Sequence, residues 1–261
     1  ICEGKNIGRA NETTPDAQAL REAEANRVAK IDEGYRSSLD DIDTVGTINP
    51  MLAFEYGKVT AKKGLTFPVF SQPKLDGMRC IVTKDGMYSR NGKPVVSAPH
   101  IRDQLLPIFE KHPNLKFDGE LYNHDFKADF NRLISLAKKT KPTENDLLES
   151  RLHLDYHIYD ICDSNYTFSH RYQFLQTRVL GKYIPGLALV KTMLHRTQEE
   201  LDEAYALYLQ QGYEGQMVRR DAPYEFHRSN NLLKRKEMIT EEFAILEIIE
   251  GIGNRSGIAG A

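Results

Sequence analysis

Hydrophobic and polar positions divide the 261-residue chain into three stretches. Residues 1–48 are polar, with one helical pattern. Thr14 is placed as its N-cap, Pro15 takes the first helical position, and Gly34 ends it. Its apolar face is thin (Leu20, Val28 and Ile31 among alanines), which predicts a surface arm or linker. From Pro50 to about Met238, short apolar runs alternate with turn residues. Periodicity there predicts helices over 100–111, 128–139, 168–181 and 198–211. It predicts strands over 115–122, 152–161, 187–194, 215–220, 231–237 and 242–250. The helix over 198–211 carries a capping box, Thr197 with Glu200, ahead of Leu201, Ala204, Tyr205 and Tyr208 at helical spacing. Residues 240–261 predict one apolar strand and a glycine-rich turn, the start of a second domain. Gly251, Gly253 and Gly257 are wrongly spaced for a dinucleotide loop, and no helix follows them.

Two turn signals, Asp85-Gly86 and Asn91-Gly92, separate strand-like runs after residue 69. With Asp85-Gly86 as a two-residue loop, Lys84 faces Met87 and Ile81 faces Arg90. Arg79 then lies diagonally from Arg90 on one sheet face, because side chains alternate with period two. Both arginines project near Lys74, a cationic cluster made by register.

Composition narrows the class without naming it. Hydrophobic content of 40% with 28% charged residues fits a globular chain. A formal net charge of -2 gives no global basic field, so any nucleic-acid contact must come from a local patch. Cys2, Cys80 and Cys162 lack metal-type spacing and read as reduced thiols of an intracellular protein. No signal peptide and no long apolar run suggests export or membrane insertion. The start at Ile1 suggests a processed or excised piece.

Lys74, Asp76, Gly77 and Arg79 form K-x-D-G-x-R, a pattern expected by chance on the order of a few times in a thousand such chains. Downstream stand SRNGKPV with Arg90, FDGELY with Glu120, YHIYDIC with Tyr159, EGQMVR with Glu214, and LLKRKE with Lys234 and Lys236. Taken singly, each has a plain structural reading. Glu120 fits an exposed strand end, Tyr159 a core aromatic, Glu214 a turn residue, and Lys234 with Lys236 a solvated strand edge. Their conjunction, in this order, argues against all of these at once.

Together these motifs resemble the covalent nucleotidyltransferases, and within them the ATP-dependent DNA ligases of the compact viral and phage-like kind, over roughly residues 49–261. SRNG, EGQMVRR and YEFHRSNNLLKRKE favour DNA ligases over RNA ligases and mRNA-capping guanylyltransferases, which share the lysine chemistry. A non-catalytic nucleic-acid-binding module on the same scaffold is the alternative from another class. NAD as AMP donor is disfavoured by the absence of a zinc-type cysteine set and of an NAD-recognition segment before Lys74. Residues 1–35 look similar to a linker that follows an accessory module in some phage-type ligases.

The resemblance implies an α+β fold, an ATP-grasp-like nucleotidyltransferase (adenylation) domain of antiparallel sheets flanked by helices. It places a polar helical arm at 1–48, the adenylation domain at 49–239 and an incomplete OB-fold at 240–261. It makes Lys74 the nucleophile that takes AMP from ATP, passes it to the 5′-phosphate of a DNA nick, and lets the 3′-hydroxyl displace it. An ordinary lysine, with a pKa of about 10.4, is neutral in only about one molecule in a thousand near neutral pH, so this chemistry needs cations beside it. Carried over by position, Gln72 meets the base edge, Tyr159 stacks on adenine, and Glu120 bonds a ribose hydroxyl. Glu214 holds Mg²⁺, a hard cation suited to a carboxylate. Arg79 and Arg90 bind ribose and the nick phosphate, so they also contact DNA, while Lys234 and Lys236 neutralise phosphate charge. Asp76 shapes the loop. The implied cofactors are ATP and Mg²⁺. The implied partner is nicked double-stranded DNA, bound by an intracellular monomer (in the host cell if viral) with no membrane contact. Slow or absent labelling from ATP is expected without a full OB-fold.

Overall fold

Residues 3–32, 35, 38, 49–127, 129–179, 181, 183–237, 247, 249 and 250 are described by the computed structural model. Residues 47–237 form one unit, and residues 1–46 with 238–261 form another. In the latter, helix α1 spans Pro15–Asp32. Thr14 Oγ1 accepts the Ala17 N–H at 3.3 Å, which is the cap the pattern implied. Leu20 and Val28 stay exposed, in keeping with a thin apolar face. Gly34, Cys2 and most of the expected strand 242–250 lie outside the described residues.

The unit 47–237 is built on ten strands among its described residues. They are β1 (Leu52–Glu55), β2 (Val69–Lys74), β3 (Met78–Thr83), β4 (Gly86–Ser89) and β5 (Lys116–Tyr122). After these come β6 (Asp155–Ile161), β7 (Leu187–Leu189), β8 (Met193–His195), β9 (Gly215–Arg219) and β10 (Arg228–Lys236). One sheet has the order β1-β10-β9-β2-β8 and the other β4-β3-β5-β6-β7. All pairings are antiparallel except β1 with β10 and β6 with β7.

Helices close the outer faces. Helix α2 (Tyr56–Lys63) and helix α7 (Gln198–Gln210) bring Val59 and Leu201 against Val69, Val218 and Leu233 of the first sheet. Helix α3 (Pro99–Lys111) packs Ile101, Leu105 and Phe109 on the second sheet's Cys80, Val82 and Phe117. α4 (Phe130–Ala137), α5 (Glu144–His153) and α6 (Phe168–Phe174) complete the helical set. Between the sheets lies a smaller apolar seam, with Met51 and Leu232 against Ile81 and Cys162. Both Cys80 and Cys162 are buried and free, and burial pushes their thiols up.

Several expectations need correcting. The first hairpin turns at Lys84-Asp85, not Asp85-Gly86, because Thr83 pairs with Gly86 and its Oγ1 accepts from the Asp85 and Gly86 amides. That moves every cross-strand pairing by two residues, so each side chain keeps its face. Ile81 faces Tyr88 instead of Arg90, and continuing the register brings Arg90 level with Arg79. The run 187–194 is two strands in different sheets, β7 on β6 and β8 on β2. The strand over 152–161 begins only at Asp155, since residues before it finish α5. Helix α5 escaped the periodicity because Leu148 and Leu152 are exposed, although Thr143 and Asp146 form its capping box. The inner place of β10 in its sheet agrees with the motif conjunction in setting aside a solvated strand edge for Lys234 and Lys236.

Candidate active site

Register alone assembles the centre of the site. Across the three strands β2, β9 and β10, Lys74 pairs with Gly215 and Gly215 with Lys236. In the next row, Gln72 pairs with Met217 and Met217 with Lys234. Alternation places both rows on the same sheet face. Gly215 is required where it stands. Its φ of +155° suits glycine, and a Cβ there would run into the Arg235 carbonyl. The glycine lets β9 and β10 approach there, and the neighbouring Glu214 carboxylate lies between Lys74 and Lys236.

From the second sheet, β3 and β5 set Arg79 opposite Glu120, and β6 supplies Tyr159. The two sheets enclose a cavity of about 310 Å³. Gln72, Lys74, Arg79, Arg90, Glu120, Tyr159, Glu214, Lys234 and Lys236, all singled out from the sequence, line it. Leu52, Ala53, Met217 and Leu232 give it an apolar wall. An apolar slot ending in a cluster of cations can take a flat base with a phosphate chain.

Glu214 bridges the lysines, accepting from Lys74 Nζ through Oε2 and from Lys236 Nζ through Oε1 at 3.0 Å. Burial opposes its charge, but Lys74 and then Lys236 outweigh that and hold the carboxyl below its ordinary value. Arg79 is more committed than its expected role implies. It forms a bidentate pair with buried Asp118 (2.8 and 2.6 Å) and donates to the Met51 carbonyl at 2.8 Å. Arg90 makes no such pair among the described residues, and burial, Arg79 and Arg228 all press its value downward.

Glu120 stands well outside the ordinary carboxylate range. Burial is the main cause that pushes its carboxyl up to about 8, against the opposing pull of Arg79 and Lys74. Its value is raised in the folded state, so the stability it contributes is complete below the unfolded value and lost as pH rises through about 8. The wild-type melting temperature is therefore expected to fall more steeply than that of Glu120→Gln between about pH 5 and about pH 9. Parallel curves for the two proteins would contradict the assignment.

Gln72 lines the cavity with its amide already engaged. It donates to the Tyr159 carbonyl (3.1 Å) and Thr192 Oγ1 (2.9 Å) and accepts from Arg219 Nε (2.8 Å). Arg219 and Arg228, both lining the cavity, were missed from the sequence. Arg219 ends the half-apolar strand GQMVR and Arg228 sits in the polar run HRSNN, and only strand adjacency shows that both reach the cavity. Beside the cavity runs a second groove of about 630 Å³ that shares Arg79, Arg90 and Glu120 and adds Lys93, Lys138, Lys139 and Phe130. No group of three or more His, Cys, Asp or Glu side chains suited to a metal ion occurs among the described residues. Nor is any described helix long and apolar enough to cross a membrane.

Comparison with known proteins bears on this geometry. A family model described as an ATP dependent DNA ligase domain matches residues 50–236. The DNA ligase of African swine fever virus (strain Badajoz 1971 Vero-adapted) is 27% identical over 273 residues, covering 96% of this chain and 60% of the relative. The DNA ligase of enterobacteria phage T4 is 25% identical over 246 residues, covering 76% of this chain and 50% of the relative. The chain thus spans 60% and 50% of the length of these two relatives, less than two thirds of either. Among solved structures, the Chlorella virus DNA ligase-adenylate aligns with a TM-score of 0.56 at 22% identity, over 72% of this chain and 68% of that one. The ATP-dependent DNA ligase from bacteriophage T7, in complex with ATP, aligns at 0.52 and 18%, over 82% and 76%. These structural likenesses establish the fold.

Proposed function

The chain belongs to the ATP-dependent DNA ligase domain family, and from that premise we propose that its cavity carries out adenylyl transfer through Lys74. The observation that carries this reading is the row Lys74–Gly215–Lys236, closed by Glu214 at the cationic end of an apolar slot. The neutral Lys74 amine attacks the α-phosphate of ATP, forming an N–P bond while pyrophosphate leaves. An oxygen of a DNA 5′-phosphate then attacks the same phosphorus, and the Lys74 nitrogen departs with a proton. The 3′-hydroxyl finally attacks the activated 5′-phosphate and AMP leaves.

Around that sequence the side chains take distinct tasks. Tyr159 and the apolar wall hold the adenine, Gln72 meets its edge, and Glu120 meets the ribose. Lys234 and Lys236 neutralise charge on the phosphates. Arg79, largely occupied by Asp118, acts chiefly through its charge, while Arg90 is placed for the nick phosphate. Magnesium fits a site of this kind, because Mg²⁺ is commonly held by one or two carboxylates together with substrate phosphates. Glu214 is the residue that would hold it, and the ion would neutralise phosphate charge when bound. We read the partner as nicked duplex DNA and the protein as an intracellular monomer. The buried free thiols support a reducing compartment.

The groove with Arg90, Lys93, Lys138 and Lys139 is the surface we assign to the DNA backbone. Affinity for nicked duplex is expected to fall as salt rises, with a log–log slope of about −0.9 for each phosphate neutralised. Titration of nicked duplex from low to high salt measures this, and an unchanged dissociation constant would contradict it. Competition separates the substrate classes. Nicked duplex should displace single-stranded RNA ends, and the reverse order would favour an RNA-joining enzyme.

A further inference from the structure

Arg219, we propose, is a positioning residue that locks the Gln72 amide in one orientation and so makes the cavity select adenine over guanine. This deepens the nucleotide-binding reading above and rests on it. The lock joins the two sheets. Gln72 stands on β2, Tyr159 on β6 of the other sheet, Thr192 in the crossover from β7 to β8, and Arg219 at the end of β9. Both Nε2 hydrogens of Gln72 are committed, to the Tyr159 carbonyl at 3.1 Å and Thr192 Oγ1 at 2.9 Å. Its Oε1 accepts from Arg219 Nε at 2.8 Å. Turning the amide over would set Oε1 against the Tyr159 carbonyl and the NH₂ against the Arg219 N–H. What remains to Gln72 is the second lone pair of Oε1, an acceptor.

An acceptor discriminates between purines. Adenine carries an amino donor at the position where guanine carries a carbonyl oxygen, so the locked Oε1 favours adenine and repels guanine. An unlocked amide could turn its NH₂ to the guanine carbonyl and accommodate either base.

Neutralising Asp160 does not account for Arg219. Arg171 already engages both oxygens of Asp160 (2.7 and 3.0 Å), and the Ile161 amide donates to it at 2.8 Å. Arg219, only 3% exposed, adds a second cation to a carboxylate that one arginine satisfies. A buried charge in excess of its partner is costly. The rings of Phe168 (4.8 Å) and Tyr159 (5.6 Å) offset part of that cost. Beyond Asp160, the polar group that Arg219 holds is Gln72 Oε1.

Calorimetric titration of the whole chain with the α,β-methylene analogues of ATP and GTP, which cannot transfer their nucleotide, reads selectivity apart from chemistry. Wild type is expected to bind the adenine analogue more tightly. Arg219→Met should reduce that preference by about tenfold, the scale of one misplaced hydrogen bond. Arg219→Lys, whose ammonium can still donate to Oε1, should restore most of it. Thr192→Val removes one acceptor for Nε2 and should shift the ratio in the same direction, which keeps the test open if Arg219→Met does not fold. A merely structural role would weaken both analogues equally. An unchanged ratio in variants that still bind nucleotide would overturn the lock while leaving the catalytic reading intact. Failure of the wild type to bind either analogue would remove both.

Discussion

Lys74→Arg is expected to abolish covalent AMP labelling as completely as Lys74→Ala, a loss on the order of a thousandfold or more. Arginine keeps the positive charge beside Glu214, so the row across β2, β9 and β10 retains its electrostatic balance. A guanidinium does not deprotonate near neutral pH and supplies no nucleophilic amine. Equal failure of the two variants therefore isolates nucleophilicity from charge. Labelling with radioactive ATP on a denaturing gel measures it, and residual labelling in either variant would mean that another residue accepts AMP.

The largest effect on stability should come from Asp160, which is fully buried between two arginines. Asp160→Ala leaves the Arg171 and Arg219 side chains, 2% and 4% exposed, without a counter-charge. Breaking a buried ion pair in this way costs about 3–5 kcal/mol. For a domain of this size that corresponds to a melting temperature lower by about 10 °C. Arg219→Met is expected to cost much less, because it leaves Asp160 balanced by Arg171. Thermal melts of the two variants side by side decide the point. Equal destabilisation would show that the charge balance has been misjudged.

That Lys234 and Lys236 share one strand face was legible from two-residue alternation, whereas the pairing that sets Lys74 in a row with Lys236 was not. Misplacing the hairpin turn by one residue moved its register by two, so Arg79 and Arg90 kept a common face despite the error. What escaped depends on three-dimensional neighbours. Nothing local separates β7 from β8, since the crossing near Thr192 exists only because two sheets stand apart. The four-residue β1, which pairs with β10, is too short for periodicity to reveal. Arg219, in the run VRR, resembles a solvated charge until β2 brings Gln72 beside it. Helix α5 did carry a signal in its Thr143–Asp146 box, but its leucines face outward and mute the helical period.

One measurement reaches the central claim directly. The protein is incubated with α-labelled ATP and Mg²⁺, digested, and the adduct located by peptide mass spectrometry. The expected result is slow labelling that places a single AMP on Lys74 and is lost in Lys74→Ala. AMP on any other residue, or a label that persists in the alanine variant, would contradict it.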